Sequence, residues 1–387
     1  MLLTVYQILS ILDNMKLVIN LRLNPDAAQQ RTLRDTLERC NSACNWLSTL
    51  AFESEVFGQY ALHKAHYYAL RERFGLTAQV AVRCIGKVAD AYKLKNRREK
   101  KRKFRKWAAQ PYDDRIFRFA KGDNINLWTL NGRQTIPFSC GKKQRELIPF
   151  RKGEVDLLFI KGKWYASCVV DIDEAEPICP KGVLGIDLGI VQIATDSTGE
   201  AHCGEHVEVV RAKYATKRAM LQKAGSRRAR RRLHALSGKQ SRFQKITNHM
   251  ISKAIVSKAK RLSLSISVED LTHIREGIKA RRANRNKLHN WSFFDLKAKI
   301  EYKAKRFGIP FVAIDSRNTS KQCSECGHIA KANRKTQAIF KCQVCGYEAN
   351  ADQNAAVNIA ARGSEYVTSL YKFAHQNTLG VVESPCL

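Results

Sequence analysis

Four cysteines near the C-terminus, Cys323, Cys326, Cys342 and Cys345, form two C-x2-C pairs separated by fifteen residues. Each pair can offer two thiolates from about one tight turn. Gly327 and Gly346 follow the pairs, where a metal knuckle needs open backbone angles. Four sulfurs in this spacing suit tetrahedral Zn²⁺ and leave it no open position, so the ion they imply is structural and does no chemistry of its own. His328, next to the first pair, then reads as a turn residue. A redox pair does not suit this context.

With the zinc closed, chemistry falls to carboxylates, and three stand out. Asp187 lies inside the apolar run VLGIDLGI, where a charge is costly unless a cation meets it. Glu269 closes the apolar run LSLSISVE, and Asp352 begins a helix-like tract a few residues past the last cysteine pair. Each has a plainer reading when taken alone. A DLG turn after a strand also binds phosphate in actin-type ATPases, and a glutamate at a strand end is often a solvated terminus. Together, their order and contexts match a ribonuclease H-like nuclease, in which acids from a first strand, a later strand and a terminal helix hold two Mg²⁺ ions. Hard oxygen donors suit Mg²⁺, and such a pair of ions serves in-line phosphodiester displacement.

The elements that must position these groups are readable in outline. Met15–Leu23 alternates as a strand, and Pro25 and Asp26 mark a turn and a helix start. From Ala27 to about Lys106 the pattern is helical, with apolar residues at three- and four-residue steps. One of these helices carries Tyr60, His63, Tyr67 and Leu70. Its tyrosines read as core, with base stacking as the alternative. Residues 111 to 180 change character, with short strands broken by Gly, Asn and Pro. The chain therefore reads as a β-barrel interrupted by a helical block after its first strand. From Lys181 it becomes α/β: a strand–turn–strand at VLGIDLGIVQIATD, a long basic helical stretch, the strand ending at Glu269, an amphipathic helix and the strand PFVAID. The cysteine pairs follow, then a last helix from Asp352 to about Arg362 and a tail with little pattern.

Lys and Arg number 68 against 35 Asp and Glu, a formal net charge of +33. So large an excess of one sign exceeds what solubility asks for and points to a polyanionic partner, usually nucleic acid. From Arg211 to Arg261 there is no Asp or Glu, and Arg227, Arg228, Arg230, Arg231 and Arg232 make its densest part. They are the candidate phosphate contacts. A second basic run, KLKNRREKKRKFRKW, interleaves Phe104 and Trp107 and reads either as an RNA contact or as a surface linker. No segment resembles a membrane span, and residues 1–14 lack the features of a signal peptide and read as an extension from an upstream start. Twelve cysteines, four of them in metal spacing, suggest a reducing cytoplasm and no disulfide framework.

GIDLGI, SVEDL and CSECGH…CQVCGYEANADQNAAVNIA, in that order, resemble the RuvC-like domain of the insertion-sequence-encoded TnpB family, which is related to the type V CRISPR effectors. SRNTSKQCSECGH, NHMISKAIVSKAK and FDLKAKIEYKAKRFGIPFVAID support the match. The resemblance implies a multidomain α+β chain. Its parts are an extension (1–14), a first barrel strand (15–25), a helical recognition domain (26–110) and the rest of the β-barrel (111–180). A RuvC-like, ribonuclease H-like α/β nuclease domain (181–320) follows, with an inserted four-cysteine zinc ribbon (321–348), a final nuclease helix (349–362) and a variable tail (363–387). It implies that Asp187, Glu269 and Asp352 hold catalytic Mg²⁺, that Zn²⁺ is structural, and that guide RNA and target DNA are the partners, in a prokaryotic cytoplasm at the nucleoid. Neither a membrane nor a small-molecule substrate is expected. The implied activity is RNA-guided DNA cleavage beside a short motif. The alternatives are a miniature type V effector and a guided DNA-binding regulator that does not cut. The family commonly has Arg just before the last Asp, where this chain has Ala351. Asp270 is the alternative to Glu269, but strand alternation points it to the other side.

Overall fold

Strand β1 (Met15–Leu23) buries Ile19, Leu21 and Leu23 on one side, as its alternation requires. Asp26 then caps helix α1 (Ala27–Glu53) in a reciprocal capping box with Gln29. Helices α2 (Gln59–Phe74) and α3 (Ala78–Ala91) follow. Next come strands β2 (Gln110–Tyr112), β3 (Phe117–Ala120), β4 (Asn124–Thr129) and β5 (Gly132–Ser139), the short helix α4 (Lys142–Leu147), and strands β6 (Arg151–Ile160) and β7 (Lys163–Ile172). This computed structural model describes residues 15–94, 96, 98–189, 191–271, 293–336 and 338–377. The expected extension 1–14 lies outside them.

The seven strands form one antiparallel sheet in the order β2-β6-β7-β1-β5-β4-β3. Its two edge strands, β2 and β3, are consecutive in the chain and joined by one tight turn, in which Phe117 N–H donates to the Asp113 carbonyl (2.8 Å). The Tyr112 hydroxyl donates to the Trp128 carbonyl (3.1 Å), linking β2 to β4. The sheet is therefore nearly closed, like a barrel. Helices α1–α3 lie in the chain between β1 and β2 and share one hydrophobic core with the sheet, including Leu21, Leu33, Leu47, Ile85 and Trp164.

Three expectations change in this unit, which covers Asn14–Asp173. The helical pattern ends at Ala91, not near Lys106. Residues 98–109 that follow are irregular, and side chains of α1 satisfy their backbone: Asn45 pairs with Phe104 in both directions, Ser48 donates to the Arg102 carbonyl, and Asn41 donates to the carbonyls of Lys106 and Ala108. Dense like charge disfavours continuing the helix, and these polar partners hold the alternative. Of the two tyrosines expected in a core, Tyr67 is half-buried against it but Tyr60 is 83% exposed, because α2 buries only Leu62 and Leu70 fully; the neighbouring Tyr68 is 78% exposed. The barrel strands end at Ile172, short of the expected boundary at 180.

The second unit, from Glu174 onward, carries β8 (Val183–Asp187), β9 (Gln192–Asp196) and β10 (Ala201–Cys203). Then come α5 (Glu205–Ala224), α6 (Arg227–Leu262), β11 (Ser265–Glu269), α7 (Phe293–Arg306) and β12 (Phe311–Ile314). The small hairpin β13 (Ile339–Lys341) and β14 (Glu348–Asn350) precedes α8 (Ala351–Asn377). The five-stranded sheet has the order β10-β9-β8-β11-β12, antiparallel as far as β8 and parallel beyond it. Side-chain alternation sorts its two faces. Leu184, Ile186, Ile266 and Val268 join Ile255 and Ala259 of α6 and Leu296 and Ile300 of α7 in one core. Gly185 and Ser267 point the other way, onto α8.

The pattern predicts that α8 stops near Arg362, but the helix runs to Asn377. Gly363 does not act as a stop. A Cβ there would collide with Ser267, so the glycine serves close packing of the helix on the sheet. Cys40, Cys44, Cys84 and Cys168 are buried free thiols. Among the described residues, no helix is long and apolar enough to cross a membrane.

Candidate active site and metal cluster

In the parallel pair β8–β11, Val268 lies opposite Ile186. One step further on each strand come Glu269 and Asp187, on the same face as Gly185 and Ser267 and hence facing α8. Helix α8 can come that close because residue 185 has no side chain: a Cβ would overlap the Ala356 carbonyl oxygen and the Ala360 nitrogen. Asn350 starts the helix, its side-chain oxygen accepting from the N–H groups of Asp352 (2.9 Å) and Gln353 (3.2 Å). Asp352 thus sits in the first turn, where the helix dipole favours a carboxylate.

The electrostatics show that the three acids converge. Burial, then the charges of Glu269 and Asp352, push Asp187 up to about 8. Burial also raises Glu269, against the opposing effects of a Thr319 hydrogen bond and of Arg362 and Arg334. Asp352 is raised by burial and opposed by Arg334, whose guanidinium lies 3.2 Å from its carboxylate. Arg334 acts on all three acids. Asp270 faces away and pairs with Lys297 of α7 at 2.8 Å.

Sequence reasoning missed Arg334. Ala351 is fully buried with Cys323, Phe340 and Cys342 in the small core beneath the cysteine pairs. Arg334 reaches Asp352 from the loop between the cysteine pairs. Thr319, Asn354 and Asn358 were also missed. A signal for the last two existed: polar amides four residues apart in an alanine-rich helix.

The four cysteines meet as their spacing demands. The Cys323–Cys345 sulfurs are 3.7 Å apart and the Cys326–Cys342 sulfurs 3.5 Å. A tetrahedral ion with Zn–S bonds of about 2.3 Å needs sulfurs about 3.8 Å apart. Gly327 and Gly346 have φ of 72° and 74°, as knuckle turns require. The His328 carbonyl accepts from Cys323 N–H at 2.9 Å, a turn role. Among the described residues, this is the one group of three or more candidate ligands whose ligand atoms all lie within 4.8 Å of one another. The carboxylates are spread more widely.

Arg227, Arg228, Arg230, Arg231 and Arg232 are exposed on the first turns of α6. After Ala229 this helix buries nothing until Asn248, and its second half packs on the sheet. Ser226 caps it, accepting from Ala229 N–H at 3.1 Å, and Arg218 of α5 donates to Gln240 at 2.6 Å.

Residues 293–359 match the family described as Cas12f1-like, TNB domain. The chain is 37% identical over 218 residues to the CRISPR-associated endodeoxyribonuclease Cas12f1 of Sulfoacidibacillus thermotolerans, covering 52% of this chain and 50% of that protein. It is 30% identical over 222 residues to an Escherichia coli (strain K12) protein with the provisional name RNA-guided DNA endonuclease InsQ, covering 52% and 54%. It is 34% identical over 130 residues to the TnpB-like protein MJ0751 of Methanocaldococcus jannaschii, covering 33% and 46%. The aligned part spans about half the length of these curated relatives. The chain is therefore related to proteins of the TnpB and Cas12f kind.

Proposed function

We propose that this chain is an RNA-guided DNA endonuclease of the TnpB type, cutting target DNA by Mg²⁺-dependent phosphodiester hydrolysis at Asp187, Glu269 and Asp352. The observation that carries this reading is the convergence of three acids from β8, β11 and the start of α8, Glu269 buried and Asp187 and Asp352 half-buried. Three strands antiparallel to one another followed by two parallel ones, with acids on the first strand, the fourth and a closing helix, support a ribonuclease H-like, RuvC-type domain. Helices α1–α3 within the barrel sequence support a recognition domain, and the sulfur geometry supports Zn²⁺ in a ribbon. The names of the relatives support guide RNA and DNA as partners, in a prokaryotic cytoplasm.

The site fits Mg²⁺ on chemical grounds. Its donors are hard oxygens, and Asp187 bears the repulsion of two neighbouring carboxylates, which a divalent cation relieves. Bound there, Mg²⁺ supplies an activated water and charge stabilisation at the leaving oxygen. Asp187, Glu269 and Asp352 orient it. Arg334 adds positive charge beside Asp352, where a scissile phosphate can meet it. The exposed arginines of α6 take the nucleic-acid backbone, and Tyr60 and Tyr68 offer exposed rings to unpaired bases.

A second reading, a compact type V CRISPR effector, is favoured by the 293–359 family match and the Cas12f1 relative. A repeat array beside the gene distinguishes it. The experiment for both is guided cleavage. RNA-loaded wild type and Asp187→Ala are incubated with matched and mismatched targets under Mg²⁺. Wild type should cut the matched DNA, and the variant should bind it but largely fail to cut. If wild type binds matched DNA and leaves it intact, the protein is a guided regulator. Equal cutting by both moves the active site elsewhere.

A further inference from the structure

Glu269 ends a strand whose five residues are all buried, and it is itself 8% exposed. A carboxylate in that position can turn about its side-chain torsions unless something holds one oxygen. Thr319 does so. Its side chain is on the loop after β12, the residue is 1% exposed, and its hydroxyl donates to Glu269 Oε1. The Ser316 carbonyl is also within reach, at 3.0 Å. A hydroxyl has one proton, and a charged acceptor takes it in preference to a neutral one.

The loop bearing Thr319 is in turn fixed from α8. Asn358 Nδ2 donates to the carbonyls of Thr319 (2.9 Å) and Gln322 (2.8 Å). Asn354 Nδ2 donates to the Gln322 carbonyl (2.8 Å), and its Oδ1 accepts from Ser324 N–H (3.1 Å). Arg362 donates to the carbonyls of Asp315 (3.1 Å) and Arg317 (2.7 Å). These three residues recur at four-residue steps and so share one face of the helix. Asn354 and Asn358 are 0% and 4% exposed, where an amide without partners would be costly. The helix that presents Asp352 therefore also clamps the loop that orients Glu269.

We propose that Thr319 is a positioning residue: its buried hydroxyl fixes the Glu269 carboxylate for a divalent cation, and Asn358 holds Thr319 in register with Asp352. This rests on reading Glu269 as a metal ligand.

The test is Mn²⁺ binding to the zinc-loaded full chain, followed by electron paramagnetic resonance, with Asp187→Ala as the blank. Thr319→Val keeps the shape and removes the hydroxyl. It should weaken Mn²⁺ binding roughly 10- to 100-fold, the usual loss when a residue supporting a metal ligand is removed. Thr319→Ser should restore binding to near wild type, and zinc content should be unchanged in both. In a Glu269→Gln background, Thr319→Val should add almost nothing, because the two act as one unit. Wild-type affinity in Thr319→Val overturns the inference. So does equal loss in Thr319→Ser, which would assign the effect to the methyl group, or full additivity with Glu269→Gln. Unchanged Mn²⁺ binding in Glu269→Gln alone overturns the reading of the carboxylate site, and the inference with it.

Discussion

The cysteine cluster and the carboxylate cluster lie in the same unit, joined by one helix start, yet they are built in opposite ways. The four sulfurs come from two tight turns close together in the chain and fall at metal-binding distance from one another. The three carboxylates come from two strands and a helix far apart in sequence and stay more widely spread. Spacing alone makes the first site. The second exists only if β8, β11 and α8 dock correctly. A local site should therefore fail locally, and an assembled site should fail wherever its docking fails.

The largest effect is expected from Cys342→Ser. Structural zinc in small ribbons is worth about 10–16 kcal/mol of apparent binding energy, which is also folding energy. Zinc content should fall well below one per chain, and hydrogen exchange should rise first between residues 321 and 350. Arg334 belongs to this ribbon and pairs with Asp352, so cutting should fall too. Full zinc occupancy in the variant would reject the cluster.

Gly185→Ala should do the reverse, breaking the assembled site while leaving the ribbon whole. One methyl group forced against the backbone of α8 should cost about 1–3 kcal/mol or more. Thermal unfolding should shift down and cutting should be lost, with zinc stoichiometry intact. An unchanged melting temperature with full cutting would mean that α8 need not lie so close.

The pH response should separate the clusters further. Asp187 titrates near 8 in the folded chain against an ordinary 3.8, so the native state holds the extra proton across that interval. Without divalent metal, this group's contribution to stability is full below about pH 4, declines as pH rises towards 8, and then levels off. Mg²⁺ must displace that proton, so its apparent affinity should rise with pH up to about 8. Unfolding midpoints on either side of this interval, with and without Mg²⁺, measure both trends. A Mg²⁺ affinity that is flat with pH would remove Asp187 from the site.

The smallest effect on either cluster should come from changing Arg227, Arg228 and Arg231 together to Gln. Zinc content and Mg²⁺ response should not move. The logarithmic salt dependence of nucleic-acid binding should become shallower by roughly 0.7–0.9 for each phosphate that is no longer neutralised. An unchanged slope would leave those arginines as solvated surface.

Strand alternation within SVED already puts Glu269 and Asp270 on opposite faces, and the structure gives Asp270 to Lys297 of α7. Periodicity is less informative about α2. It marks a helix but not how much of that helix a neighbour covers, so it places Tyr60 as well as Tyr67 in a core that reaches only Tyr67. The end of α8 is misplaced for a related reason. Gly363 looks like a stop in one dimension and is a packing surface in three.

The sequence by itself determined whatever depends on neighbours along the chain. That includes the thiolate pairs and their glycines, the cap at Asp26, the strand order around the helical block, and the excess of positive charge. These follow from short-range geometry and composition, which residue order specifies directly. Only the tertiary structure decided that Arg334 meets Asp352, that Thr319 meets Glu269, and that Asn354 and Asn358 join that loop to α8. Those partners are set by the docking of a helix on a sheet, and the docking depends on the missing side chain of Gly185, whose partners are many residues away in the chain.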